Sequence, residues 1–116
     1  MFRTTATGRL TAEPELITSE AHRPLCKFSI ATDRYIGKSG EGESNTVTDY
    51  LDITVWGPIG ETHAEQLGKG HLVAVTGDLI TDRWETSDGD KRSRLILQAD
   101  QVQYLAKPRD REAVPA

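Results

Sequence analysis

The chain has a single cysteine, Cys26, so no disulfide can form within it. Cys26 lies in an apolar run, which favours a buried structural thiol over a reactive one. No run of 18 apolar residues exists, which excludes a transmembrane helix, and residues 1–10 lack the apolar segment of a secretory signal. We therefore expect a protein of the cytoplasm without a membrane partner.

The chain also lacks an excess of positive charge. It has 14 Lys and Arg against 18 Asp and Glu, a net charge of −4 and a pI near 5.3. This balance argues against nucleic acid as a partner, because phosphate binding needs a positive surface. A basic groove can still lie on an acidic protein, so the positions of the cations decide the question. Apolar residues make up only 36% of the 116 residues, which predicts one domain with a thin core.

Hydrophobic residues recur mainly with a period of two, which predicts β-strands. A helix is expected where Pro58 supplies a favourable first turn and Gly68 and Gly70 supply a stop. Asp88-Gly89 is a strong hairpin turn signal. Strands are predicted at about 4–10, 25–32 and 48–56, from 71 to about 79, and at 101–105. A two-stranded ribbon is predicted to join residues 83–84 to residues 92–99. The helix is predicted at 58–67 and the longest loop at 33–47.

Three strands, one helix and then two or more strands is the order of an all-β, five-stranded OB-fold barrel. In that fold the helix lies between strands three and four. A β-sandwich would normally lack the helix, and a ferredoxin-like fold would need a second one. We assign residues 1–106 to this single domain, and we expect residues 107–116 to form a short disordered tail.

Strand alternation turns several aromatic side chains outward. If Leu51, Ile53 and Val55 fill the barrel, Tyr50 and Trp56 project to the opposite face. The same alternation, counted from Val73 and Val75, turns Trp84 outward unless a bulge at Gly77 breaks the count. Such aromatics either cover an interface between chains or provide platforms on which unpaired bases stack. Tyr35, at the start of the long loop, is either a loop anchor or a further stacking residue.

Cations accompany these aromatics. Arg83 precedes Trp84, and the strand that returns from the Asp88-Gly89 turn carries three more basic residues. Single-strand binding combines such cations, which follow the phosphates, with stacking worth about 1–3 kcal/mol per base. The candidate phosphate contacts are Arg9, Arg34, Lys38, Arg83, Lys91, Arg92 and Arg94.

Catalytic interpretations find little support. His22, His63 and His71 are scattered without metal-ligand spacing. Gly68-Lys69-Gly70 lacks the spacing and the Ser or Thr of a phosphate-binding loop. We expect a binding module with no catalytic residue, no metal and no cofactor.

An ordered set of short motifs resembles the bacterial-type single-stranded DNA-binding protein (SSB) family. No single motif is specific, but together they extend over about residues 4–105. They are Gly8–Thr11 with Pro14-Glu15, Phe28–Thr32, Trp56-Gly57 with Glu61, Leu67–Gly70, Val73–Gly77, and Trp84 with Asp88–Arg92.

The resemblance implies an OB fold, a homotetramer built as a dimer of dimers, and sequence-tolerant protection of single-stranded DNA in replication, recombination or repair. A nucleoid-associated location follows from that role. The resemblance also implies stacking roles for Trp56, Trp84 and Tyr50, and approximately for Tyr35. An OB-fold assembly factor or a single-stranded RNA binder remains the alternative.

The end of the chain departs from the family pattern. Family members that recruit other proteins end in an acidic tip, whereas residues 107–116 carry three positive and two negative side chains. We therefore expect that the chain does not recruit other proteins through an acidic tail. It would then be either a truncated chain or a short paralogue.

Overall fold

The structure is a computed structural model that describes residues 1–18, 23–38 and 44–108. Seven elements follow one another in this part of the chain. They are β1 (Arg3–Leu10), β2 (Glu15–Thr18), β3 (Pro24–Lys38), β4 (Ser44–Trp56), α1 (Pro58–Gln66), β5 (Leu72–Glu85) and β6 (Lys91–Ala106). The predicted tail falls mostly outside the described residues, which end at Pro108.

Five of the strands form a closed barrel. Their order is β1-β5-β6-β4-β3, and the ring closes where β1 pairs with β3 at Arg9 and Leu10. The ring pairs are antiparallel except β4 with β6, which run parallel. The short strand β2 lies outside the ring and pairs with β3 alone. The predicted all-β, five-stranded barrel is confirmed.

The predicted position of the helix needs a correction. The sequence placed it between strands three and four, but α1 lies between β4 and β5. The cause is β2, which the alternation did not reveal, because its four residues Glu15–Thr18 are all exposed. In a strand without a buried side, apolar and polar residues need not alternate, so the sequence shows no period of two.

The predicted loop at 33–47 is mostly strand. β3 continues to Lys38 and pairs with β4 from Ser44 onward, so the two strands form a long hairpin. Here the side chains of both strands are largely exposed, so no hydrophobic period reveals them. Gly37, with φ of 115°, follows a bulge in β3 at Ile36. The two pieces predicted after residue 91 are likewise one continuous strand, β6.

The core fills the barrel with alternate residues of its strands. Cys26, Val73, Val75 and Leu97 are fully buried. Burial raises the pKa of the Cys26 thiol to about 11, which suits the structural role predicted for it. The other buried apolar residues are Leu10, Phe28, Ile30, Ile53, Val55, Leu67, Ile96 and Ala99.

Helix α1 packs against β2, β3 and β4. It approaches them closely, since a Cβ on Gly60 would lie 2.7 Å from the Val55 carbonyl oxygen. His63 of α1 is buried, and its Nδ1 lies 2.5 Å from the Tyr104 hydroxyl of β6. Burial lowers the pKa of His63. Among the described residues, no helix has the length and apolar character needed to cross a membrane.

Candidate nucleic-acid interface

The outer side of β4 carries two aromatic residues. Ile53 and Val55 are buried in the barrel, so Tyr50 and Trp56 project to the other side. Tyr50 is 69% exposed and lies opposite Ala31 of β3. Trp56 is half-buried and terminates the strand. Both side chains have the orientation that alternation predicts.

Tyr35 belongs to the same side. The β3–β4 register runs without a shift from Leu25 opposite Trp56 to Tyr35 opposite Thr46. Residues directly opposite each other share a face, so Tyr35 projects to the same side as Tyr50. Their positions are four residues apart along the strands, which corresponds to about 13 Å at about 3.3 Å per residue. Tyr35 is 57% exposed and lies in a strand, which leaves no loop for it to anchor.

Trp84 completes the set because no extra residue interrupts β5. The pairing shifts between Thr76 opposite Gln101 and Gly77 opposite Ala99, so the extra residue is Asp100 of β6. Alternation in β5 therefore continues from buried Val75 to outward Trp84, which is 44% exposed. We call the outward side of these strands the aromatic face; its aromatic members are Tyr35, Tyr50, Trp56 and Trp84.

Trp56 has a cation beside its ring. The guanidinium carbon of Arg23 lies 5.2 Å from the Trp56 ring centroid. A groove next to the pair is bounded by Ile59, Gln98 and Asp100. Sequence reasoning missed Arg23, because it precedes β3 and no strand period assigns it to a face.

The β5–β6 hairpin carries cations on both sides. Arg92 lies opposite Trp84 on the aromatic face, 3.9 Å from Asp90, and Arg94 lies over the Trp84 ring at 5.4 Å. Arg83 and Lys91 project to the reverse side, and no carboxylate of the described residues lies within 4 Å of either. A groove beside Trp84 is lined by Arg83, Glu85, Lys91, Arg92 and Ser93.

The remaining predicted cations are placed differently. Arg9 donates to the Gly70 carbonyl oxygen at 2.8 Å, beside the start of β5, whereas Trp84 lies at the other end of that strand. Arg34 is on the reverse side from Tyr35, where its Nε lies 2.8 Å from Asp49. The hydrogen bond from Arg34 lowers the pKa of Asp49. The side chain of Lys38 lies outside the described residues.

A network of opposite charges crosses the aromatic face. Arg94 contacts Asp52 of β4 at 3.0 Å and Asp82 of β5 at 3.5 Å. Ser29 of β3 also hydrogen-bonds to Asp52. These contacts depend on the register of β6 against β4 and β5 and on that of β3 against β4, which alternation within one strand does not fix. Across the described ranges, His, Cys, Asp and Glu form no cluster suited to a metal.

Comparison with known proteins agrees with this geometry. The profile of the Single-strand binding protein family matches residues 1–105. The chain belongs to that family. Its members are binding proteins rather than enzymes.

Curated relatives bear the name single-stranded DNA-binding protein. One from Treponema pallidum is 42% identical over 98 residues, which are 84% of this chain and 54% of that protein. One from Clostridium tetani is 34% identical over 106 residues, 90% of this chain and 70% of that protein. The chain thus spans about half the length of the Treponema protein.

Two solved structures share the fold. The Plasmodium falciparum SSB in complex with ssDNA superposes with a TM-score of 0.81 at 22% identity, covering 91% of this chain and 96% of that one. A deletion mutant of the Thermus aquaticus single-stranded DNA-binding protein gives 0.76 at 24% identity, with 91% and 51% covered. The closed barrel is therefore an OB fold.

Proposed function

We propose that this protein binds single-stranded DNA without strong sequence preference and does no chemistry on it. The observation that carries the proposal is the aromatic face, where four aromatic side chains project from the outer surface of the barrel and its hairpins. Three of them, Tyr35, Tyr50 and Trp84, expose between 44% and 69% of their surface. Every base offers a flat π surface, so such rings bind bases of any identity.

Family membership supports the same proposal. The relatives carry single-stranded DNA binding in their names, and the Plasmodium structure is a complex with ssDNA. In this chain we assign base stacking to Trp56, Trp84, Tyr50 and Tyr35. The cellular setting that follows is protection of single strands in replication, recombination or repair, in the cytoplasm at the nucleoid.

We assign phosphate contacts according to whether each cation already has a partner within the protein. Arg83 and Lys91 are exposed and free of described carboxylates, and Arg92 has only a distant one. Arg92 lies on the aromatic face and Arg83 and Lys91 project to the reverse side, but all three line the groove beside Trp84, so they are our leading phosphate ligands. Arg9 and Arg34 would have to leave their present partners, Gly70 and Asp49. Lys38 remains a sequence-based candidate.

Self-association into a homotetramer is part of the proposal. One feature that supports it is the edge of β1: among the described residues, Arg3–Gly8 pair with β5 on one side and with nothing on the other. An open strand edge presents unpaired backbone donors and acceptors to another chain. A second copy of this chain would satisfy them.

Fluorescence titration with oligo-dT of graded length tests the proposal, since it reports affinity and site size together. We expect tight binding, quenching of tryptophan emission and weakening with salt. Duplex DNA of the same length serves as the control, and equal affinity for it would exclude base stacking. Competition between oligo-dT and oligo-U distinguishes a DNA binder from an RNA binder.

A further inference from the structure

The Arg94 side chain is held between two carboxylates of the protein itself. Its Nη1 lies 3.0 Å from Asp52 Oδ2, and its Nε lies 3.5 Å from Asp82 Oδ2. The guanidinium also lies over the Trp84 ring, 5.4 Å from its centroid. One positive charge is thus shared by two negative ones directly beside a proposed stacking residue.

We propose that Arg94 positions Trp84 rather than neutralising a DNA phosphate, and that Asp52 and Asp82 are internal competitors that keep it in that role. This inference rests on the proposed binding of single-stranded DNA. It replaces the phosphate contact that the sequence predicts for Arg94.

Two carboxylates on different strands hold the guanidinium. Asp82 lies directly opposite Arg94 across the β5–β6 pair, and Asp52 approaches from β4, where it pairs with Ile96. Asp52 is itself held by the Ser29 hydroxyl. A guanidinium anchored from two strands is held against the Trp84 ring, while 44% of the Trp84 surface stays exposed to receive a base.

Charge balance makes a phosphate a poor third partner. Arg94 with its two carboxylates carries a net charge of −1. Glu13, Glu15 and Lys27 line the same groove, so the groove as a whole stays negative. A phosphate would have to displace a carboxylate that is already in place. We therefore expect Arg94 to release no counterion when DNA binds, unlike Arg83 or Lys91.

The salt dependence of oligo-dT binding tests this directly. Each phosphate contact in a single strand contributes about −0.7 to the slope of log K against log salt concentration. In the double variant Asp52→Asn with Asp82→Asn, freed Arg94 is expected to meet a phosphate, which steepens the slope by about 0.7. Asp88→Asn removes one negative charge at the hairpin tip, where Asn-Gly suits the turn as well as Asp-Gly does, and is expected to leave the slope unchanged.

The variant Arg94→Gln separates positioning from phosphate binding. We expect an unchanged salt slope, a weaker affinity and, in a Trp56→Phe background where Trp84 is the sole tryptophan, a shifted emission maximum. A slope that is shallower by about 0.7 would identify Arg94 as a phosphate ligand and overturn the inference. So would unchanged affinity and emission, or a double variant whose slope equals that of Asp88→Asn. If the wild-type protein fails to bind oligo-dT, the proposed function itself fails instead.

Discussion

Arg23 and Trp56 form a cation–π pair, with the guanidinium carbon over the ring, 5.2 Å from its centroid. Arg94 and Trp84 form a second pair of the same kind at 5.4 Å. Both tryptophans of the chain thus have an arginine over one side of the ring. Such a contact supports the ring and places a positive charge close to where a base and its phosphate would lie.

The first prediction concerns Arg23. Replacement by Gln removes a cation–π contact worth about 0.5–1 kcal/mol at an exposed position. We expect affinity for oligo-dT to fall about twofold to fivefold, since 1.4 kcal/mol corresponds to a factor of ten. Titration with oligo-dT measures it. Unchanged affinity would show that the pair makes no contribution to binding.

The second prediction concerns the close approach of β5 to β6. A Cβ on Gly77 would lie 2.1 Å from the Gln98 carbonyl oxygen and 2.6 Å from the Ala99 Cα, both backbone atoms. Gly77→Ala therefore forces the strands apart and is expected to cost about 1–3 kcal/mol of unfolding free energy, measured in urea.

Gly68→Ala is the matched control for that experiment. Its Cβ would meet the Glu13 carboxylate at 3.1 Å, and a flexible side chain can move away. We expect a change within about 0.5 kcal/mol. Equal losses for the two variants would argue against the close approach at Gly77.

The sequence predicted the barrel and the faces of its strands because burial imposes a strict period of two. Tyr50, Trp56 and Trp84 could be assigned to the outside from buried neighbours such as Ile53 and Val75. The same reasoning failed where no side is buried, as in β2 and in the hairpin that carries Tyr35.

Contacts between distant strands were beyond the sequence for a different reason. The ion pairs of Arg94 depend on the register of β6 against both β4 and β5, and the bulge at Asp100 depends on how β6 crosses β5. The alternation of apolar and polar residues within one strand gives no information about either register. The sequence therefore indicated which cations the chain offers but not that Arg34 and Arg94 have carboxylate partners.

The third prediction is a loss of stability in mild acid through His63. Burial lowers its pKa in the folded state below the ordinary 6.5. The unfolded chain therefore binds the proton first, so the contribution of His63 to stability is full above pH 6.5 and declines as the pH falls below it. Urea unfolding at pH 7.5 and 5.5 measures this decline.

His63→Gln identifies the source of that decline. The variant is expected to lose less stability between pH 7.5 and 5.5 than the wild type. Titration of Asp49 and Asp100 does not contribute to the decline between pH 7.5 and 5.5, because their arginine partners lower carboxyl pKa values that are ordinarily 3.8. An equal decline in both proteins would place the responsible group elsewhere.

The fourth prediction concerns Cys26. Its side chain is fully buried and its thiol pKa is raised to about 11, so the reactive thiolate is scarce at pH 8. We expect a colourimetric thiol reagent to modify the native protein very slowly and the urea-unfolded protein at once. Rapid modification of the native protein would contradict the buried position.

The aromatic face itself is tested by the affinity of Trp84→Ala for oligo-dT, with Leu95→Ala as the control. Leu95 is 56% exposed on the reverse side of the same hairpin, so its replacement removes a comparable exposed apolar group. A base stack worth about 1–3 kcal/mol predicts binding weaker by about 5-fold to 150-fold for Trp84→Ala. Leu95→Ala is expected to bind like the wild type, with the oligomer intact in both variants. Wild-type affinity in Trp84→Ala, or dissociation of its oligomer, would contradict the account and assign Trp84 to a contact between chains.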